Sequence, residues 1–324
     1  MTMTHSDAVE PSTRTGPTGR GPAAGPRGET IAFVGLGAMG LPMSLRLLRA
    51  GYQVRGGSRA PQRLERFAAV GGRVCHSLTE TLRGADVVIT MLPDGAVVRD
   101  VVDREGGVAQ TVPSGTLLID MSTVNPRQAR ELASRGEELG IEVLDAPVSG
   151  GVAGARAGTL TIMVGGPERA LERARPLLEA MGTTITHLGP AGSGQVVKAA
   201  NQLIVGAGLA ALGEAVLLLQ AGGVDAESAL RALSGGLAGS RIMELKAPAV
   251  LARDFSPTFT VGLHAKDMGI VQDLAGSVGC VLPVLDTVTQ AFNAAVANGW
   301  ADLDHAAVVQ VAELLSGTHR NDRK

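Results

Sequence analysis

The chain has 324 residues, of which 45% are hydrophobic, enough to bury the core of one large domain or two modest ones. Its 29 Lys and Arg against 31 Asp and Glu leave a net charge of −2, which argues against a nucleic acid or an anionic membrane as a partner. Cys75 and Cys280 lack the spacing of a zinc or redox motif. We therefore expect no metal site and two reduced thiols, although the sequence leaves a disulfide between them open.

The two ends of the chain differ in composition from the rest. Residues 1–28 are rich in Gly, Pro, Thr and Ser and hold no apolar stretch, which predicts a disordered tail rather than a secretory signal. A second short tail is predicted for residues 319–324. No apolar run of about 18 residues is free of polar breaks, so we predict no membrane span. We expect a cytoplasmic protein.

From Thr30 onward, short apolar runs bounded by glycine alternate with amphipathic segments. Such alternation predicts βαβ units, and hence an α/β fold with a Rossmann-type, doubly wound parallel sheet over residues 29–191. Strands are predicted at 31–34, 52–55, 86–92, 116–121, 142–144, 160–164 and 183–187, and helices include 41–50, 97–102 and 127–139.

After Gly194 the strand pattern stops, which predicts an all-α domain for substrate binding and oligomerisation over residues 192–318. Residues 195–220 contain no proline and predict one helix of about 26 residues, roughly 39 Å long. Residues 203–219 are apolar nearly all round, and such a helix must be covered on every side. We therefore expect a homodimer or homotetramer. Further helices are predicted at 226–233, 264–277, 285–298 and 305–314.

A glycine-rich turn follows the first predicted strand. It matches G-x-G-x-x-G between a strand and a helix, the pattern of a dinucleotide-binding loop. The first glycine permits a tight turn, the second lets a pyrophosphate approach, and the third allows the helix to pack closely on the strand. The predicted cofactor-binding residues of this loop are Gly35, Leu36, Gly37, Ala38, Met39 and Gly40.

The end of the second strand predicts which cofactor is used. NAD sites commonly hold the ribose 2′-hydroxyl with an acidic residue about 20 residues after the loop, but residues 31–64 contain no Asp or Glu. Ser58 and Arg59 stand there instead, and an arginine can pair with a 2′-phosphate. This favours NADP, with NAD possible. Taken by itself, Arg59 could also be a solvated surface charge.

Two segments carry residues suited to proton transfer and carboxylate binding. Ser149, Gly150 and Gly151 follow a predicted strand, where their N–H groups and hydroxyl can cradle an anion. On a helix, Lys198, Asn201 and Gln202 stand at i, i+3 and i+4 and share a face. Apolar neighbours should lower the pKa of Lys198, as a general acid and base requires. Without further information, a lone lysine is more often a solvated charge.

The order of motifs resembles the β-hydroxyacid dehydrogenase family. The matching strings are GLGAMGLPM (35–43), MLPD (91–94), DMSTV (120–124), DAPVSGG (145–151), GTLTIMVGG (158–166), GSGQVVKAANQ (192–202) and LHAKDM (263–268). The resemblance implies that Lys198 is the catalytic acid and base and that Asn201 helps to bind substrate. It also implies that the substrate is bound by Ser122, Ser149, Gly150 and Gly151. The nicotinamide side of the cofactor would be lined by Leu92, Pro93 and Thr123. Lys266 would lie near the cofactor, with Asp267 as its structural companion.

The C-terminal half most resembles the tartronate semialdehyde reductase branch of that family, through GGLAGSRIMEL (235–245) and LDHAAVVQVAELL (303–315). Ser58 replaces the usual Asn before the arginine, and Pro257-Thr258-Phe259 replaces Pro-Gly-Phe. This resemblance implies reduction of 2-hydroxy-3-oxopropionate to glycerate. The alternatives are a 3-hydroxyisobutyrate dehydrogenase and, from another class, a non-catalytic nucleotide-binding scaffold. His264 and His305 are expected to be structural.

Overall fold

The structure, a computed structural model, describes residues 28–58 and 60–318. Apart from Gly28, the predicted N-terminal tail lies outside the described residues, as do Arg59 and the predicted tail at 319–324. Strands and helices alternate as far as His187, and from Ser193 onward the chain is helical. The predicted change from an α/β fold to an all-α region is confirmed.

The first part of the fold is a parallel sheet of six strands. They are β1 (Thr30–Val34), β2 (Gln53–Gly56), β3 (Arg73–Val74), β4 (Val87–Thr90), β5 (Leu117–Asp120) and β6 (Glu142–Asp145). The order β3-β2-β1-β4-β5-β6 is that of a doubly wound Rossmann sheet. Because β1 pairs with both β2 and β4, the order reverses there, and ligands of such folds bind at the carboxyl ends of these strands.

Helices cover both faces of this sheet. Successive strand residues point to opposite faces, so Ile31 and Phe33 join one hydrophobic cluster while Ala32 joins the other. The helices are α1 (Gly40–Arg49), α2 (Pro61–Ala68), α3 (Leu78–Leu82), α4 (Gly95–Asp103), α5 (Val108–Thr111), α6 (Pro126–Leu139), α7 (Gly151–Ala157) and α8 (Glu168–Met181).

The last predicted strands do not extend the parallel sheet. As β8 (Leu160–Val164) and β9 (Gly182–His187) they belong to a second sheet, whose third strand, β7 (Val148–Ser149), was not predicted and runs antiparallel to β8. The expectation of a single parallel sheet is corrected here. Two residues separate β6 from β7, whereas a parallel crossover needs about a dozen or more, so β7 cannot continue the first sheet as a parallel strand beside β6.

The helical region is built around one long helix, α9 (Ser193–Ala221), which has 29 residues and is longer than predicted at both ends. It contacts all five helices that follow it in the chain, α10 to α14. The others are α10 (Ala226–Ser234), α11 (Arg241–Ala252), α12 (Val261–Val278), α13 (Pro283–Ala297), a 3-10 turn at His305–Val308 and α14 (Val309–Leu315). By length and composition α9 could also cross a membrane, unlike any other helix of residues 28–58 and 60–318.

Helix α11 was not predicted, because Pro248 lies inside it and three glycines precede it. The helix forms nonetheless, since the Ser240 side chain accepts a hydrogen bond from the Met243 amide at 3.2 Å and caps the first turn. The single helix predicted at 305–314 begins as a 3-10 turn. Cys75 is buried, Cys280 is exposed, and both are free thiols.

Candidate active site

The glycine-rich loop lies between β1 and α1 and has room for a dinucleotide at one point. Gly35 has φ +107°, and a Cβ there would collide with the carbonyl oxygen of Met91. A Cβ on Gly40 would collide with the carbonyl of Gly35. At Gly37, by contrast, no heavy atom lies within 4 Å of an added Cβ. Two glycines therefore pack the turn, and the middle one leaves the backbone open to a pyrophosphate.

The amino end of α1 fits the phosphates of a bound cofactor. Met39, the residue before the helix, makes no capping hydrogen bond through its side chain, and the first turn has no acidic residue. Free amide groups and the positive end of the helix dipole therefore face the loop. Leu36 is buried, whereas Ala38 is exposed.

At the ribose end of the crevice, β2 ends without an acidic residue. The Ser58 hydroxyl accepts a hydrogen bond from the Ala60 amide at 3.2 Å. The guanidinium of Arg55 donates to the Arg83 carbonyl at 2.8 Å and is thereby directed away from the strand end. Arg59, the predicted 2′-phosphate contact, lies outside the described residues. Among the residues that the structure describes, Ser58 therefore offers a polar side chain next to the predicted site of the ribose.

Hydrogen bonds join the loops after β4 and β5, which the family resemblance places beside the nicotinamide of the cofactor. The hydroxyl of Ser122 accepts a hydrogen bond from the Leu92 amide at 2.9 Å and is fully buried. The Asp120 carboxylate accepts from Thr90 Oγ1 at 2.8 Å and from the Ser122 amide at 3.1 Å. The Ser122 hydroxyl thus accepts from the loop after β4 and keeps its own proton as a donor, and the expected contact with substrate stays a prediction.

Lys266 on α12 reaches both of these loops. Its Nζ donates to the carbonyls of Pro93 at 3.1 Å and Thr123 at 2.8 Å. It also lies 2.9 Å from Oδ1 of Asp267, which is only 2% exposed. The ion pair of Lys266 and Asp267 is therefore largely buried. Through it, the helical region fixes the positions of Pro93 and Thr123.

Asp145, at the end of β6, joins the two parts of the fold. Its carboxylate accepts hydrogen bonds from the amides of Gly192 at 2.7 Å and Gln195 at 3.0 Å, which cap α9. The Gln195 side chain in turn accepts from the Val124 amide at 3.1 Å and donates to the Ser122 carbonyl at 2.8 Å. Asp145 and Gln195 both lie within the family motifs, but no local pattern predicts a role for either side chain.

Lys198 lies one turn further along α9 and is 7% exposed. Its Nζ donates to the Val148 carbonyl at 2.8 Å and to Gln202 Oε1 at 2.9 Å. Burial lowers the pKa of this amine to about 8, against the opposing effect of the Asp267 carboxylate. Val148 immediately precedes Ser149, so β7 brings the predicted carboxylate cradle beside the amine.

The remaining predicted substrate residues surround this amine. Asn201 donates through Nδ2 to Gln202 Oε1 at 2.8 Å, and Gln202 donates through Nε2 to Asp267 Oδ2 at 2.7 Å. Gly150 and Gly151 both have positive φ, +126° and +61°, so glycine is favoured at each position of the turn after Ser149. The helical spacing predicted that Gln202 shares a face with Lys198 and Asn201, but it predicted no role for the Gln202 side chain.

Two buried histidines lie behind Gln202. His264 Nδ1 lies 3.0 Å from His305 Nδ1, and His264 Nε2 lies 3.1 Å from the Gln202 carbonyl. The ring of Phe292 stacks on His264 with centroids 4.3 Å apart. Burial lowers the pKa of His264 to about 4 and that of His305 to about 3, so both rings are neutral at pH 7. They support the α9–α12 contact.

Known proteins resemble both parts of the chain. A family model described as the NAD binding domain of 6-phosphogluconate dehydrogenase matches residues 30–189, and one described as NAD-binding of NADP-dependent 3-hydroxyisobutyrate dehydrogenase matches residues 192–312. The 2-hydroxy-3-oxopropionate reductase of Escherichia coli (strain K12) is 40% identical over 88% of this chain and 98% of that protein. The chain belongs to the β-hydroxyacid dehydrogenase family.

Other β-hydroxyacid dehydrogenases are also similar. The NAD-dependent L-serine dehydrogenase of Pseudomonas aeruginosa is 36% identical over 89% of this chain and 99% of that protein. The solved structure of Mycobacterium tuberculosis 3-hydroxyisobutyrate dehydrogenase with L-serine is 39% identical, covers 88% of this chain and 99% of that chain, and gives a TM-score of 0.79. This β-hydroxyacid dehydrogenase is therefore an NAD(P)-dependent oxidoreductase, which sets aside the alternative of a non-catalytic scaffold.

Proposed function

We propose that this enzyme reduces 2-hydroxy-3-oxopropionate to glycerate with NADPH, or catalyses the reverse reaction, and that Lys198 is its general acid and base. The observation that carries the proposal is the buried amine of Lys198, held against the Val148 carbonyl at 2.8 Å beside the Ser149 turn. Its pKa of about 8 leaves most molecules protonated at neutral pH. The 40% identity to a reductase named for this substrate supports the choice of aldehyde acid.

In the proposed mechanism each group has one task. Ser149 and the amides of Gly150 and Gly151 hold the substrate carboxylate. Asn201 orients the hydroxyl next to the aldehyde. Bound NADPH would supply the hydride that adds to the aldehyde carbon. Lys198 gives its proton to the aldehyde oxygen as negative charge develops there, so that no alkoxide has to be released into a poorly solvated site.

A substrate panel tests this proposal. We expect kcat/KM for 2-hydroxy-3-oxopropionate to exceed that for methylmalonate semialdehyde by about tenfold or more, since the second substrate has a methyl group in place of the α-hydroxyl and would leave the group proposed to bind that hydroxyl, Asn201, without a partner. The measurement is the loss of NADPH absorbance with each aldehyde acid, and the oxidation of glycerate, 3-hydroxyisobutyrate and L-serine in the reverse direction. A preference for methylmalonate semialdehyde would contradict the proposed substrate.

The second candidate is 3-hydroxyisobutyrate dehydrogenase. It is favoured by the M. tuberculosis structure, which has the same fold over 99% of its own length at 39% identity. The proposed carboxylate cradle and Lys198 would serve both substrates equally. The two candidates differ in whether the pocket favours a hydroxyl or a methyl group at the α-carbon, so the same panel separates them.

We propose a preference for NADPH over NADH, based on Arg59 and on the absence of Asp and Glu from residues 31–64. Arg59→Ala is expected to raise KM for NADPH about tenfold or more, because it removes a charge-assisted hydrogen bond, and to change KM for NADH little. Arg66→Ala, an exposed arginine of α2, is the matched control. A wild-type enzyme with the higher kcat/KM for NADH would contradict this preference.

We propose a homodimer or homotetramer, joined through the helical region and located in the cytoplasm. Among residues 28–58 and 60–318, 16 large hydrophobic residues are exposed. Two of them, Val70 and Val97, precede α9, and the other 14 lie in the helical region. On α9 itself Ile204 is 67% exposed and Leu218 75% exposed. The long apolar helix is therefore covered only in part within one chain, and a second copy would cover the rest.

Light scattering at micromolar concentration tests the oligomer. We expect a mass of at least twice 33.0 kDa for the wild type. Leu218→Lys is expected to lower the mass, since it places a charge in a buried apolar interface, whereas Val70→Lys on the Rossmann surface is expected to leave it unchanged. An active wild-type enzyme with the mass of one chain would rule the proposal out.

A further inference from the structure

Gln202 connects the groups of the candidate site that are proposed to act on substrate. Its Oε1 accepts hydrogen bonds from both Lys198 Nζ at 2.9 Å and Asn201 Nδ2 at 2.8 Å. Its Nε2 donates to Asp267 Oδ2 at 2.7 Å. Gln202 is 5% exposed and Asp267 is 2% exposed, so water cannot easily replace either partner. The Gln202 amide group therefore accepts two hydrogen bonds through its oxygen and donates one through its nitrogen.

The orientation of this amide is fixed by chemistry. A carboxylate can only accept hydrogen bonds, so the NH₂ group of Gln202 must face Asp267 and the carbonyl must face Lys198. Asp267 is itself fixed, because its Oδ1 forms an ion pair with Lys266 at 2.9 Å. Lys266 in turn holds the Pro93 and Thr123 carbonyls. A chain of polar contacts thus runs from the nicotinamide-side loops to the amine.

We propose that Gln202 is a positioning residue, which holds the amine of Lys198 in place and couples it to the carboxylate of Asp267. The inference rests on the proposed role of Lys198 as general acid and base. Gln202 itself need not touch substrate. It acts by presenting a carbonyl oxygen to the ammonium form of Lys198, and the hydrogen bond to Asp267 polarises that carbonyl further.

The charges around Lys198 show why such a group is needed. Burial lowers the pKa of the amine, Asp267 raises it, and Lys266 lowers it further. His264 and His305, the other titratable groups packed behind the site, are neutral above about pH 5 and add no charge. The ammonium form therefore depends on Asp267 and on its hydrogen-bond acceptors, of which Gln202 is the one supplied by a side chain.

Competitive acetylation with acetic anhydride measures the protonation of Lys198 without any need for catalysis. The full chain is labelled across pH 6–11 (a range chosen to bracket a pKa of about 8), and the Lys198 peptide is quantified by mass spectrometry. Gln202→Leu keeps the side-chain size but removes the acceptor, so the pKa of Lys198 is expected to fall by about one unit or more. The alkaline limb of kcat should move to lower pH by the same amount.

Gln202→Glu is the conservative variant. A Glu carboxyl beside Asp267 would share a proton with it and so still accept from Lys198 while donating to Asp267. The pKa of Lys198 should then stay at or above the wild-type value. Asn201→Leu is the matched control: Asn201 bonds to the same oxygen but not to the amine, so KM should rise without a change in the titration of Lys198.

Equal titration of Lys198 in the wild type and in a folded Gln202→Leu variant would overturn the proposal. An equal fall in Asn201→Leu would do the same, because it would indicate general loosening of the site. Melting temperatures establish that each variant is folded. If Gln202→Leu does not fold, the titration of Lys198 in Gln202→Glu is compared with that of the wild type, and a lower pKa in Gln202→Glu would contradict the proposal. If Gln202→Leu lowers the pKa while a Lys198 variant remains active, the positioning role stands and the proposed catalytic role fails.

Discussion

Lys198→Met is expected to lower kcat by about 10²–10⁴-fold, the usual loss when a general acid is removed. Methionine nearly matches the length of the lysine chain, so it fills the same buried space without the amine. KM for NADPH should change little, because Lys198 contacts Val148 and Gln202 and not the glycine-rich loop. Steady-state kinetics together with NADPH fluorescence titration would measure both effects.

The wild-type pH profile provides an independent check on the same residue. Reduction requires protonated Lys198, so kcat for reduction should fall as pH rises through about 8, and oxidation, which requires the neutral amine, should rise over the same range. In Lys198→Ala, small primary amines added to the buffer should restore part of the activity. A methionine variant within threefold of wild type would remove Lys198 from the mechanism.

Asp145→Ala is expected to be the most destabilising single change among the site residues. It leaves the buried amides of Gly192 and Gln195 without an acceptor, and each unsatisfied amide costs about 1–3 kcal/mol. No water can replace the carboxylate easily, since Asp145 is 3% exposed. The free energy of unfolding should therefore fall by several kcal/mol, as measured by denaturant titration of the full chain.

A second helix cap serves as the control. Asp225 caps α10 by accepting from the Ser228 amide at 2.9 Å, but it does so at an exposed position. Asp225→Ala should cost only about 1 kcal/mol, because water can replace the lost acceptor. Asp145→Asn, which keeps one acceptor oxygen, should lie between the two. Equal losses for Asp145→Ala and Asp225→Ala would mean that the joint between β6 and α9 is not a stabilising element.

Part of this protein can be inferred from local sequence because the responsible forces are local. The glycines of the 35–40 turn are required by the backbone conformation and close packing of that turn, and this requirement is visible as spacing. The buried strands and α9 follow from apolar runs and from the absence of proline. The position of Lys198 and Asn201 on one helix face follows from the helical repeat alone.

The tertiary structure decided the contacts between residues that are far apart in the chain. Gln202 and Asp267 are separated by 65 positions, and Asp145 and Gln195 by 50, so no local pattern indicates that they meet. Ser122 lies in the loop after β5, and the packing of β4 against β5 brings its hydroxyl to the Leu92 amide. Backbone geometry fixes which residues share a strand or helix face, whereas burial and the need to satisfy every buried polar group fix their partners.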